Sequence, residues 1–493
     1  MTATDRDFAT YELFIGGDWT APQDARTSER SSPADGRPVG RYARAGAAEV
    51  ERAVAAARHA FDDSGWPDAP ARDRARILRR TAELLEQRAD QIGRRITLEL
   101  GKPIRLARTE VLLTAEVFEY YAALALDQRG EVVSRHTSRA LGLVLHEPVG
   151  VVAMITPWNF PLLLLSWKVA PAIAAGCTMV AKPASLTPGP ALELARVLSE
   201  AGLPDGVYNV LTGSGGEVGT ALAEHPGVDK VAFTGSTEVG QQVMVAAAKT
   251  VKKVTLELGG KSPNIVFADA DLKQAARNAY WGIFLNSGQA CQAGSRLLVQ
   301  REVHDDFLGA LAELNAPSLV GDPLADQTMI GPLVDEGQLR TVMDYIEQGS
   351  QQGARLLYGG GRVERDGLAA GFFVEPTVFD GVTNAMTIGR EEIFGPVLSV
   401  MTFEDPAQAV QIANDSMYGL AAAVWTRDLD LALQTARSIR AGTVWVNAYH
   451  DAGLPFVMPM GGYKASGIGR ELGREGLQEY LETKSVHVRL GRR

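Results

Sequence analysis

Between residues 149 and 260 the chain repeats one pattern: a short, wholly apolar run, a turn, then a longer segment with helical spacing. An apolar run without alternation suits a strand covered on both faces, and strand–helix alternation suits a mainly parallel sheet. "GVVAMITP", "CTMVAKP" and "DKVAFTG" read as strands, and "PLLLLSWKVAPAIAAG" and "STEVGQQVMVAAAKT" as the helices that follow them. These are βαβ units. Residues 71–126 read as long helices, and a second α/β series runs from 260 to about 460. Two segments fit neither series. Residues 129–148 alternate like a hairpin, and the tail "TKSVHVRL" alternates like a lone strand. A lone strand needs a partner edge, so hairpin and tail are expected to extend together across to another subunit.

A chain of 493 residues is long for one core, so two or three domains are expected. The formal net charge of −10 argues against nucleic acid or an anionic membrane as the main partner. No secretory signal is visible at the N-terminus, and prolines and Lys168 interrupt the most apolar stretch, residues 149–183, so no spanning helix is expected. Two cysteines without motif spacing suit a reducing cytoplasm.

One of those cysteines, Cys291, lies in "LNSGQACQAGSR", among small residues that leave room for a substrate and leave backbone N–H groups free. The nucleophile is a thiolate, and an unperturbed thiol with a pKa of about 8.5 is mostly protonated at neutral pH. Alone, Cys291 reads first as a small buried cysteine at a helix start; Cys177, in "AAGCTMVAK", reads as core. Glu257 ends a strand-like run before two glycines, as a general base toward water or as a solvated strand end. Asn159, in "TPWNFP", offers amide N–H groups at a helix start, for an oxyanion or as a cap. Gly235 and Ser236, in "FTGSTEVG", stand between strand and helix, the geometry for a phosphate. "AKPAS" sets Lys182 and Ser185 at a sheet's carboxyl edge. No G-x-S-x-G elbow, H-E-x-x-H or C-x-x-C occurs, which disfavours a serine hydrolase and metal catalysis.

Together with "EEIFGPV" (391–397), "GTVWVN" (442–447) and "GGYKASGIGRELG" (461–473), these stretches resemble the aldehyde dehydrogenase superfamily, in the family's order from about residue 10 to the C-terminus. The resemblance implies an α/β fold with a Rossmann-like cofactor domain (1–128 and 149–259), an α/β catalytic domain (260–460) and a small β oligomerisation element (129–148 and 475–493). It implies NAD(P)-dependent oxidation of an aldehyde to a carboxylic acid, through a thiohemiacetal and then a thioester on Cys291. Asn159 and the Cys291 backbone N–H would hold the oxyanion, Glu257 would activate water, and Lys168 would support proton traffic. Lys182 would contact the adenosine ribose, Ser236 a phosphate and Glu392 the nicotinamide ribose; Phe394 would pack at the nicotinamide end and Trp158 would help line the groove.

Many NAD-preferring members carry glutamate where this chain has Ser185, so acceptance of NADP as well as NAD is expected. By register, Leu163, Leu164, Trp167 and Leu285 would line the substrate tunnel, with Leu454, Phe456, Met458 and Met460 from a loop longer than the common form. His450 and Asp451 could touch a polar substrate group. An apolar tunnel points to an aliphatic or aromatic aldehyde. The alternatives are a semialdehyde dehydrogenase, hydrolytic or CoA-acylating, and a non-catalytic structural relative. Glu257 favours hydrolysis, and the intact trio of cysteine, base and asparagine favours catalysis. A homodimer or homotetramer is implied.

Overall fold

The computed structural model describes residues 8–133, 139–316, 319–365, 367–450 and 456–491. Two large sheets organise it. The core of the first is five parallel strands: Val151–Ile155 (β1), Thr178–Lys182 (β2), Tyr208–Val210 (β3), Lys230–Thr234 (β4) and Lys253–Glu257 (β5), in the order β5-β4-β1-β2-β3. The chain moves outward from β1 to β3, then returns to the other side of β1 for β4 and β5. That reversal opens a crevice at the carboxyl ends of the strands. Every residue of β1, β2 and β4 is buried, as their unbroken apolar runs require.

The second sheet has six parallel strands: Pro263–Val266 (β6), Arg296–Gln300 (β7), Thr377–Asp380 (β8), Val397–Phe403 (β9), Ala421–Trp425 (β10) and Thr443–Val446 (β11). Their order is β8-β9-β7-β6-β10-β11, and an antiparallel strand, Arg355–Tyr358, flanks β8.

Helix α1, Leu163–Ala175, connects β1 to β2 and is buried on every side, so its one charged residue, Lys168, lies wholly inside the protein. It ends at Gly176, whose φ of 94° is left-handed backbone that suits glycine. Helix α2, Thr237–Ala248, follows β4, and helix α3, Leu272–Phe284, leads toward Cys291. The helices Ala71–Gln87, Ala89–Leu100 and Ile104–Ala125 occupy the region read as helical, and their apolar faces join α1 in one core. Among the described residues no helix is long and apolar enough to cross a membrane.

The tail strand, Leu481–Arg489, pairs antiparallel with Ala140–Pro148 of the hairpin along its full length, from Leu481 opposite Pro148 to Arg489 opposite Ala140. Its partner edge is therefore supplied by its own chain. Residues 134–138, between the two hairpin strands, fall outside the description. The N-terminal strands Leu13–Ile15 and Asp18–Thr20 extend the first sheet beyond β3, and Gly467–Ile468 adds to β5. Strands of two or three residues carry no readable periodicity, and the sequence reading did not anticipate them.

Trp425 anchors the second sheet. It is 1% exposed, and its indole N–H donates to Asn264 Oδ1 at 2.8 Å. Trp425→Ala is expected to lower stability by about 3–5 kcal/mol, read as an earlier urea unfolding transition.

Candidate active site

The turns after β1 and β5 meet the turns before β7 and β9, where Asn159 bonds the Gln289 carbonyl and Gly260 N bonds Glu392. The chain crosses directly from one sheet to the other, because β5 ends at Glu257 and β6 begins at Pro263. The crossing is tight. A Cβ on Gly259 would collide with the Glu392 carboxylate, and one on Gly260 with the Cys291 carbonyl.

Cys291 arrives on a strained loop. Asp271 caps α3 by accepting from Gln274 N at 3.1 Å. Beyond that helix, Asn286, Ser287 and Gly288 are left-handed in succession, with φ of 50°, 58° and 72°. Such backbone costs about 1–3 kcal/mol for each non-glycine residue and persists only where the surroundings enforce it. Here the enforcement is visible. Asn286 Nδ2 donates to the carbonyls of Asn159 and Gln289 at 3.1 Å each, and Ser287 Oγ donates to Gly331 O at 2.8 Å. Gln289 Oε1 accepts from Val334 N at 2.9 Å.

The Cys291 side chain keeps some exposed surface, yet dense packing pushes its thiol up to about 12, and the negative charges of Glu392 and Glu257 add to the effect. The resting sulfur is thus protonated. Asn159 is 2% exposed and spends one amide N–H on the Gln289 carbonyl at 3.1 Å. Its second N–H is left for another acceptor.

Glu257 is 4% exposed, and neither carboxyl oxygen has a hydrogen-bond partner. Burial first, then the charge of Glu471, lifts its pKa well above the carboxylate range; Lys168 and Arg470 pull the other way. Lys168 donates to Glu471 Oε1 and to Thr234 Oγ1, the latter at 2.6 Å. Glu471 thus holds the ammonium, which reaches Glu257 only through its charge, and two buried carboxylates so placed do not both ionise readily. Glu471 went unsingled in the sequence, although it is the only carboxylate within "GGYKASGIGRELG".

The residues expected at a dinucleotide can also be placed. Lys182, at the end of β2, is 4% exposed, and burial alone pushes it down to about 8, with no carboxylate to offset it. The Ser185 hydroxyl donates to Gly213 O at 2.7 Å. Ser236 caps α2, accepting from Val239 N at 3.3 Å, and Gly235 N donates to Glu257 O at 3.1 Å. Glu392 Oε1 accepts from Gly260 N at 3.1 Å, and burial raises that carboxyl to about 7. Phe394, itself left-handed at φ 56°, meets Trp158 edge-on at 5.2 Å between ring centroids. Nothing lies within 4 Å of where a Cβ on Gly216 would stand. A buried cation without a partner, a helix N-terminus and an open glycine turn fit a dinucleotide.

Leu163, Leu164, Trp167, Phe456 and Met460 share one buried apolar cluster, with Cys291 and Trp158 packed against it. Leu285 stands apart, lining a cavity of about 130 Å³ with Arg277, Asn278, Trp281, Tyr449 and His450. Burial pushes His450 down to about 4, so its ring is neutral at physiological pH. Met458 is 56% exposed and joins no buried cluster. Asp451 and Leu454 lie outside the described residues.

The aldehyde dehydrogenase family pattern matches residues 19–486. An aldehyde dehydrogenase of Aspergillus niger is 45% identical over 480 residues, 97% of this chain and 95% of that protein. The crystal structure of an NAD-dependent aldehyde dehydrogenase from Sinorhizobium meliloti gives a TM-score of 0.97 at 46% identity, covering 100% of this chain and 97% of the other. An indole-3-acetaldehyde dehydrogenase crystallised with NAD+ gives 0.95 at 46% identity, over 97% of each chain.

The electrostatics of Glu257 carry a consequence for stability. Its native pKa is raised, so above the ordinary value of 4.5 the unfolded chain releases the proton while the folded protein retains it. Glu257 therefore destabilises the fold increasingly as pH climbs from that value. Glu257→Gln is expected to raise the thermal midpoint at about pH 8, with the gain shrinking as pH falls toward 4.5. Melting curves across that range check it.

Proposed function

The chain belongs to the aldehyde dehydrogenase family, and we propose that it oxidises an apolar aliphatic or aromatic aldehyde to the carboxylic acid, with Cys291 as nucleophile. The observation that carries this reading is the convergence of Cys291, Glu257 and Asn159 from three separate segments at the junction of the two sheets.

The Cys291 thiol gives its proton to water at its exposed edge as the sulfur bonds to the aldehyde carbon, and the carbonyl oxygen takes the negative charge. The free Asn159 N–H and the Cys291 backbone N–H receive that charge in an interior where such donors count for more than in water. NAD, when bound, supplies the two-electron acceptor that turns the thiohemiacetal into a thioester. Glu257 then takes a proton from water as its oxygen attacks the acyl carbon, and the Cys291 sulfur leaves. A carboxylate raised above its usual range is a stronger base than an ordinary one, which suits this role. Lys168, shared with Glu471, moderates that rise. The presence of Glu257 favours water over CoA as the acyl acceptor.

Lys182 would hold the adenosine ribose, Gly235 and Ser236 the pyrophosphate, and Glu392 the nicotinamide ribose, with Phe394 and Trp158 at the ring. Ser185 presents no carboxylate to a 2′-phosphate, so NADP is accepted beside NAD. Leu163, Leu164, Trp167, Phe456 and Met460 would form an apolar wall for the substrate, which agrees with an indole aldehyde being named for one structural relative. The reading includes a cytoplasmic location. It also includes a homodimer or homotetramer built through the sheet of Glu131–Val133, Ala140–Pro148 and Leu481–Arg489, where Val132, Val133 and Leu145 are exposed.

Cys291→Ala is expected to reduce aldehyde oxidation by about a thousandfold or more, and to abolish the acyl adduct that intact-protein mass spectrometry detects during turnover. Turnover without any adduct on the parent would overturn the reading. Ser185→Glu is expected to lower kcat/KM with NADP by about tenfold relative to NAD, as the new carboxylate repels the 2′-phosphate.

A further inference from the structure

Lys102 and Glu110 lie outside the constellation just described, yet they grip it from below. Each is 2% exposed, and they form an ion pair sealed in the interior. Burial lowers the Lys102 pKa and the adjacent Glu110 carboxylate opposes that shift. A buried pair of this kind is weak evidence for net stability, so its geometry asks for another account.

The two oxygens of Glu110 have separate partners. Oε2 meets the Lys102 ammonium, while Oε1 accepts the N–H groups of Leu162 at 3.0 Å and Leu163 at 3.3 Å. These amides open α1, where backbone donors lack partners within the helix. Lys102 Nζ sits 3.7 Å from the ring centroid of Phe160. Both grips thus fall on the turn that carries Asn159.

The same loop backs the thiol. Gly101 is left-handed at φ 82°, and a Cβ there would strike Pro332; a Cβ on Gly331 would strike the Gly101 carbonyl. Segment 331–334 in turn holds Ser287, through Gly331 O, and Gln289, through Val334 N. Asn159 Nδ2 on Gln289 O, and Asn286 Nδ2 on Asn159 O, close the circuit.

We propose that the Lys102–Glu110 pair is a positioning device that keeps the Asn159 amide in register with the Cys291 sulfur, an inference that rests on the aldehyde-oxidising reading above. Neither residue touches substrate. Their effect is felt where the oxyanion forms, because a displaced donor weakens transition-state binding more than ground-state binding.

The test compares the full-length parent with Glu110→Gln and with the double variant Lys102→Met/Glu110→Gln, which removes both buried charges at nearly constant volume. With hexanal and NAD, kcat is expected to fall about tenfold to a hundredfold, while both KM values stay within about twofold. Iodoacetamide, whose attack by the sulfur forms no oxyanion, is expected to alkylate Cys291 at the parental rate. A folded variant with parental kcat overturns the inference. So does an equal loss of kcat and alkylation rate, which would mean general disorder of the thiol loop. Failure of both variants to fold would assign the pair to stability alone. A parent that oxidises no aldehyde would overturn the functional reading, and this inference with it.

Discussion

The structure depends on one abrupt crossing. Residues 258–262 take the chain from the carboxyl end of one parallel sheet to the amino end of the next, with no helix or long loop between. Two parallel sheets joined this way must set their edges against each other, and those edges carry the turns where α/β proteins gather polar residues. Gly259 and Gly260 make the approach close enough for the Glu392 carboxylate and the Cys291 carbonyl to occupy the space a side chain would need. Cys291, Glu257 and Glu392 are neighbours because of that crossing.

The same closeness sets the electrostatics. At the junction, Cys291, Glu257, Lys182 and Glu392 are all pushed toward their neutral forms, and burial is the first cause in each case. A protein designed only for stability would pair these groups or omit them. Instead Glu257 has no hydrogen-bond partner, and the one ammonium nearby, Lys168, is engaged by Glu471. Stability is given up locally, and stiff surroundings hold the shape: the network around Asn286 and Gln289, and the ion pair beneath Phe160.

Much of this was legible in the residues. Apolar runs without alternation, such as "GVVAMI" and "TMVAK", imply strands covered on both faces, and helical periodicity between them leaves a parallel α/β arrangement as the simplest solution. The hairpin and the tail were readable as strands because alternation is a local signal. Their grouping in one element came with the family resemblance, but the register of their pairing was not readable, since it joins residues more than three hundred positions apart. The short strands at 13–20 and 467–468 escaped notice because strands so brief have no period to detect.

Within the site the division is similar. Residue type and local context single out Cys291, Asn159, Glu257 and Lys182, since each is a reactive or polar group at a strand end, a helix start or a glycine turn, whereas Lys168, inside a helix, enters only through the family resemblance. Glu471 shows its importance only once folding sets it against Lys168, and Leu285 and Met458 part company with the other apolar residues expected beside them for reasons no linear pattern contains. The sequence by itself determined which groups are available and which segments become strands and helices, because both follow from side-chain chemistry and short-range spacing. Only the tertiary structure decided which of those groups lie within reach of one another and how far each is withdrawn from water, because electrostatic strength and proton affinity depend on distance and solvent exclusion.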